Sequence, residues 1–424
     1  MKQFSVLSFL ATTSFLSACG SNLLVEDIQT ESGANSEGES ESETDPENEV
    51  GDGSDSVELD PCDGSPSFTN GQNATFVLGQ SDFTSALAPN PPTASSLNEP
   101  YGNISFIDGV LFVPDSSNSR ILGFSTPPSS SGAAADFALG QSDLTSGTAA
   151  TSATGLMYPN RIQKYDGKYY VLDSGNHRLL RYDSAPTSSG ATASAVVVGS
   201  PNLNTSSFGC SATRVLNPSD FLIVGGKLYV VVGDQNRVLG WNTVPTVTDT
   251  PADFVLGQPD LTTCDYPTSA SANSMSYPLG VASDGTKLLI SDSDQYRVLV
   301  WNMLPGTTGV APDVVIGQTS FDGYSTYSGL RSASTVRFPS AMTVHSGKLY
   351  IADTGGHRVL IWNSIPTSNF VAADNVIGQS NFTTGTYSVS QAGLREPSGV
   401  FVCGSRLYVT QADSVNRISV FEGH

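Results

Sequence analysis

A carboxylate and a guanidinium recur together along this chain. Asp115 and Arg120, Asp173 and Arg178, Asp234 and Arg237, Asp292 and Arg297, Asp353 and Arg358, and Asp413 and Arg417 each flank a short turn. In a single copy, such a pair would read as acid–base machinery. Six copies argue otherwise, because a residue present in every unit serves what every unit shares, which is folding. The pairs therefore read as structural ion pairs or turn caps, and none is assigned a catalytic role. The four histidines do not form a metal centre by position. His177 and His357 occupy the repeated turn in units that are not neighbours, His345 lies at another kind of turn, and His424 is terminal. Zinc usually takes at least three protein ligands, so no metal and no cofactor is expected. Asp292-Ser-Asp294 begins like a calcium loop but lacks the glycine and the closing glutamate.

The elements that position these pairs are legible as a repeat. An aromatic follows each arginine by four residues: Phe124, Tyr182, Trp241, Trp301, Trp362 and Phe421. All three tryptophans of the chain fall in this slot. A second mark is an apolar run ending in Gly-Gln, or Gly-Ser in one unit, with glycines at 79, 140, 199, 257, 317 and 378. A third is a proline ahead of an apolar segment: Pro100, Pro159, Pro218, Pro278, Pro339 and Pro397. The fifth unit predicts strand a over 340–344, a turn at Ser346-Gly347, strand b over 348–353, strand c over 358–362 and strand d over 375–379. Four antiparallel strands per unit, six times over, describe a six-bladed β-propeller in an all-β chain. The recurring glutamine after glycine is expected to satisfy backbone groups at a strand end.

The chain has 424 residues and a net charge of −21. Residues 20–60 carry fourteen acidic residues and no Lys or Arg, whereas 61–424 carry 26 acidic and 18 basic residues, about −8. This balance argues against nucleic acid as a partner. High charge with low hydrophobicity marks 19–60 as a disordered acidic tether, able to reach on the order of 130 Å when extended. Ahead of it, Phe4 to Leu16 is apolar but too short to span a bilayer, as in a targeting segment over 1–18.

Two resemblances follow from these residues. Leu16-Ser17-Ala18-Cys19-Gly20 resembles the lipobox of bacterial lipoproteins, which implies cleavage before Cys19 and lipid on that residue. Membrane attachment in the bacterial cell envelope follows from the resemblance, with Gly20 leaning toward the outer membrane. From 76 to 421, segments such as LYIADTGGHRVLIW and YYVLDSGNHRLLRY resemble the NHL-repeat family, which implies a six-bladed propeller over 61–424. The units are longer than usual for that family, and the turns from Asp234 to Arg237 and from Asp413 to Arg417 are expected to be shortened. NHL-like amidating lyases use channel histidines that this chain does not offer. Lactonase-type propellers hold a channel metal on acidic and amide residues, for which Asp220, Asn103 and Asn160 are the candidates.

In an alternating blade, the b–c turns and d–a connectors share one face, here termed the connector face. The chain opens with a strand-d sequence and ends on a strand c, so the first strand should complete the last blade. Cys210 and Cys264 lie in connectors of adjacent units, while Cys62 and Cys403 lie together on the opposite face at the closure. Disulfides Cys210–Cys264 and Cys62–Cys403 are therefore expected. Function should sit where the symmetry breaks. Arg161 and Asp220 break it near the axis, either by pairing with each other or by anchoring a polar ligand. Tyr266, Tyr277, Tyr324, Tyr327, Arg331 and Arg337 break it in two connectors, with residue types favoured at recognition surfaces. The sequence thus supports a monomeric binding module for a protein or glycan, with a metal-dependent propeller hydrolase or lyase as the alternative.

Overall fold

The computed structural model describes residues 62–323 and 331–424. Among them, every sheet has four antiparallel strands, and there are six such sheets. Their inner strands are Ser105–Ile107, Pro159–Tyr165, Asp220–Val224, Pro278–Ser283, Pro339–His345 and Pro397–Cys403, defining blades 1 to 6. Blade 5 continues through Lys348–Asp353, Arg358–Trp362 and Asn375–Ile377. The chain is a six-bladed β-propeller. Blade 6 takes its outer strand from the other end of the chain, with Phe76–Leu78 pairing antiparallel to Arg417–Glu422. Among the described residues no helix is long and apolar enough to cross a membrane. Both disulfides form at the expected pairs, Cys62–Cys403 and Cys210–Cys264.

The strands are apolar on both faces because blades pack on blades. One core cluster joins Leu349, Leu360 and Trp362 of blade 5 to Val298, Val300 and Ile316 of blade 4. The tryptophan slot has a polar requirement as well. Trp241, Trp301 and Trp362 are buried, and each Nε1–H donates to a carbonyl nine residues on, of Thr250, Val310 and Val371. A buried indole needs such a partner. The outer edge of each blade is capped by a loop of the next: Val77, Ala138, Val255, Val315 and Val376 donate their backbone N–H to Ser131, Ser189, Thr308, Asn369 and Asn70. In blade 2, Thr248 donates to the Val196 carbonyl instead. These bonds close the strand edges that would otherwise invite pairing with another chain.

Candidate functional site

The repeated arginines are the most buried cations of the fold, and their geometry explains them. In blades 1, 2, 4 and 5 the Arg Nε donates to the turn aspartate at 2.6–2.7 Å, as Arg120 to Asp115, Arg178 to Asp173, Arg297 to Asp292 and Arg358 to Asp353. The other nitrogens bind backbone carbonyls of both flanking connectors. Arg178, for example, reaches Leu203 on one side and Ser152 and Gly155 on the other. The aspartate's second oxygen accepts a backbone N–H, from Met157 onto Asp173 and from Ser276 onto Asp292. Burial pushes the carboxyls of Asp173 and Asp292 up to about 6, against the pull of the paired arginine. The long connectors are thus stitched down by one guanidinium per blade.

Blades 3 and 6 depart from the expectation. Val232 and Gln411, not aspartates, stand opposite Arg237 and Arg417. Asp234 lies in the turn itself and accepts from Asn217, while Asp413 pairs with Arg395. Neither is the partner of the repeat arginine. Arg237 uses the Gln235 amide oxygen instead. Without a carboxylate beside them, burial pulls Arg237 and Arg417 down to about 10. Nor is either turn shortened. Blade 3 spans Val232 to Arg237 with the same 3-10 turn as its neighbours, and blade 6 has one residue more between Gln411 and Arg417.

A connector signal went unread in the sequence. Gln-x-Asp-apolar-Thr recurs as Gln80 to Thr84, Gln141 to Thr145 and Gln258 to Thr262, with Asn381 replacing the Asp after Gln379. Asp82, Asp143, Asp260 and Asn381 each accept the backbone N–H two residues on, and the next apolar carbonyl is the one taken by the buried arginine. The recurring glutamine holds the connector to the turn, with Gln141 Nε2 donating to the Ser119 and Thr148 carbonyls.

Two of the histidines, His177 and His357, serve the seams between blades. The residue before each strand-a proline has positive φ, as at Glu99, Asn217, Tyr277 and Glu396. At these four positions its N–H is received by the left-handed residue of the preceding blade's turn. Asn217 donates to His177 Nδ1, Glu396 to His357 Nδ1, Tyr277 to Asn236 Oδ1, and Glu99 to Asn416 Oδ1. Histidine and asparagine share the slot because each offers an acceptor at the same reach.

At the axis, Arg161 Nη1 lies 3.0 Å from Asp220 Oδ1. Asp220 also accepts from the backbone of Phe221 and of Val281 in blade 4. Burial raises its carboxyl, with Arg161 opposing. Asn103 accepts from Val400, and Asn160 donates to the Ser219 carbonyl. All three channel candidates therefore bind the neighbouring blade. Among the described residues no group of three or more His, Cys, Asp or Glu is placed to hold a metal. A cleft of about 380 Å³ opens toward the opposite face, lined by Phe106, Asp108, Arg161, Lys164 and Phe401 among others. Lys164 and Tyr169 both bind Asp108 there.

Three arginines and an exposed tyrosine meet on the connector face over blade 5. Arg331 and Arg337 come from the connector before blade 5, and Arg395 from the one after it. Arg331 packs on the backbone of Gly385 and donates to the Gly355 carbonyl, and its buried Nε has no hydrogen-bond partner among the described residues. Arg337 is exposed and lies along Gly355. Arg395 grips Asp413 and sits 5.1 Å over the ring of Tyr387, whose edge meets His357 at 5.6 Å. Tyr387 is 61% exposed. Burial, and then Arg331, Arg337 and Arg395, hold His357 down to about 4. Of the residues expected here, Arg331 and Arg337 converge. Tyr266 is exposed in the connector of another seam, Tyr277 stacks on Phe338, and Tyr324, Tyr327 and Cys19 lie outside the described residues. Tyr387 and Arg395 share the following connector, and only the fold brings them to Arg331 and Arg337.

No protein-family profile matches the chain, and no curated protein matches it. Solved structures similar in fold include a PQQ-bound aldose sugar dehydrogenase from Streptomyces coelicolor (15% identity, TM-score 0.44, covering 85% of this chain and 100% of the other). A gluconolactonase from Xanthomonas campestris matches at 11% identity and TM-score 0.44, covering 84% and 98%. Virginiamycin B lyase from Staphylococcus aureus matches at 12% and 0.39, covering 76% and 95%.

Proposed function

We propose that this propeller is an envelope binding module that takes a glycan on its connector face, over blade 5. The observation that carries the reading is the group of Arg331, Arg337, Arg395 and exposed Tyr387 on the connector face, outside the repeat's own bonding. On this face the other exposed large apolar side chains occur one to a connector, as Leu87, Tyr158, Phe208 and Tyr266, while Val247, Met303 and Phe370 lie in the c–d loops of the opposite face. That spread suits a sugar chain laid across single aromatic platforms better than the contiguous apolar centre of a protein interface. Attachment through a lipidated Cys19 in the outer membrane, with the acidic stretch as tether and the protein monomeric, is part of the same proposal and rests on the lipobox resemblance. Membership of the NHL-repeat family rests likewise on the repeated segments.

The test is a panel of envelope polysaccharides against residues 61–424 and Tyr387→Ala. Retention of at least one glycan by the parent, lost in the variant, is the expected result. No retention, or retention untouched by the variant, overturns the reading. The alternative, a hydrolase or lyase with a metal in the channel, would have to displace the inter-blade bonds of Asp220, Asn103 and Asn160. Metal content measured on protein purified without chelator decides it, since one tightly held zinc or calcium per chain would favour the enzyme.

A further inference from the structure

Resting on the blade 5 surface as the binding face, we infer that the group recognised there is a carboxylate, carried by a uronate-bearing polysaccharide. Three donors point to it. The first is Arg337, an exposed guanidinium that makes no hydrogen bond to any described residue and so offers its planar fork whole. A fork of two parallel N–H groups matches the two oxygens of a carboxylate. The second is the half-buried Arg331, whose Nε has no hydrogen-bond partner among the described residues, an arrangement that costs free energy. It shares its connector with Arg337, and both arginines pack on Gly355. The third is His357: its Nδ1 accepts the Glu396 N–H, so in the neutral ring the hydrogen sits on Nε2, as a donor.

The seam already holds one guanidinium–carboxylate pair internally. Arg395 holds a single oxygen of Asp413, Oδ2, from Nε at 3.0 Å and Nη2 at 2.7 Å, while its guanidinium covers Tyr387. That pair neutralises the nearest acid and leaves Arg331 and Arg337 uncompensated by it. The remaining acid, Glu396, is half-buried, and burial and Asp413 both raise its carboxyl toward the neutral form. The net charge of about −8 on residues 61–424 opposes any polyanion, a polyuronate included, so the attraction has to come from the local guanidinium groups. A uronate brings one charge per sugar and a ring face for Tyr387.

The experiment compares polygalacturonate, its fully methyl-esterified form and neutral galactan by titration calorimetry against residues 61–424. Polygalacturonate should bind, the ester at least tenfold more weakly, and Arg337→Ala should weaken polygalacturonate at least tenfold with the thermal midpoint unchanged. Arg331→Lys, which keeps the charge but not the fork, should also weaken it. Lys164→Ala, on the opposite face, should have no effect. Equal binding of acid and ester, with Arg337→Ala and Tyr387→Ala still deficient, would remove the carboxylate and leave the surface standing. Binding of polygalacturonate that Lys164→Ala reduces as much as Arg337→Ala would remove the surface itself. No binding of polygalacturonate at all would overturn the carboxylate inference.

Discussion

At the residue scale, the repeat arginine does the same work in two electrostatic settings, and the difference is measurable. Arg297 faces a buried aspartate, so Arg297→Leu would strand the Asp292 carboxylate and should cost about 3–5 kcal/mol. Arg237 faces Val232 and leans on the Gln235 amide and three carbonyls, so Arg237→Leu strands only neutral groups and should cost about 1–3 kcal/mol. Urea midpoints of the two variants at neutral pH give the order, and equal losses would show that the ion pair adds nothing beyond the connector bonds. His357 allows a second test. Its folded pKa, about 4, lies below the ordinary value of 6.5, so the unfolded chain binds the extra proton first. The stability it contributes is therefore complete above about 6.5 and is lost as pH falls toward 4. His357→Asn keeps an acceptor for the Glu396 N–H, as Asn416 does for Glu99. The thermal midpoint of the parent should thus fall more steeply than the variant's between those pH values, in the field of Arg331, Arg337, Arg395, Asp413 and Glu396. Parallel curves would rule out this histidine as the source.

At the scale of elements, inner strands touch where the sequence places a small residue. A Cβ on Gly399 would lie 2.1 Å from the Gly102 carbonyl oxygen, and one on Gly102 would lie 2.2 Å from that of Asn160. Both obstacles are backbone, so neither can rotate away. Gly399→Ala should cost about 1–3 kcal/mol by overpacking, whereas Gly347→Ala meets nothing in space and is limited to the strain of its positive φ. Denaturant midpoints of the two variants separate them, and a Gly399→Ala protein as stable as the parent would mean the inner ring can widen. The elements themselves were legible because each carries its own local reason: a proline that opens strand a, a turn at Ser346-Gly347, an aromatic that closes strand c. Strand b and strand c of blade 5 fall where the residues place them, at Lys348–Asp353 and Arg358–Trp362. Asp234 and Asp413 misled because an acid near the turn looks like the acid opposite the arginine. Only pairing register distinguishes them, and register is set by the neighbouring strand. The seam over blade 5 was half legible for a similar reason: Arg331 and Arg337 share one connector, but Tyr387 and Arg395 reach them only through folding.

For the whole molecule, closure is the property no single blade possesses. The order of marks, strand d first and strand c last, was enough to expect it, and Phe76–Leu78 does complete blade 6. The two disulfides test how much closure contributes. Cys62–Cys403 joins residues 341 apart, while Cys210–Cys264 joins residues 54 apart within neighbouring connectors. In the chain-entropy account the longer loop constrains the unfolded chain more, by roughly 1–2 kcal/mol over the shorter. Replacing Cys62 and Cys403 by serine should therefore lower the guanidinium midpoint more than replacing Cys210 and Cys264. The first pair has a further role. The segment from Cys62 to Phe76 is held on blade 6 and its neighbour by Gly404 N–H to the Cys62 carbonyl, Lys348 to Pro66 and Gln72 to Glu422. Without the disulfide, this segment and the strand Phe76–Leu78 behind it can leave while the other strands stay paired, exposing the edge of Arg417–Glu422. Limited proteolysis should then cut the Cys62/Cys403 variant ahead of Phe76 and spare the Cys210/Cys264 variant there. If both variants are cut alike and unfold at the same midpoint, closure is carried by the strand pairing alone and the covalent bond across it is redundant.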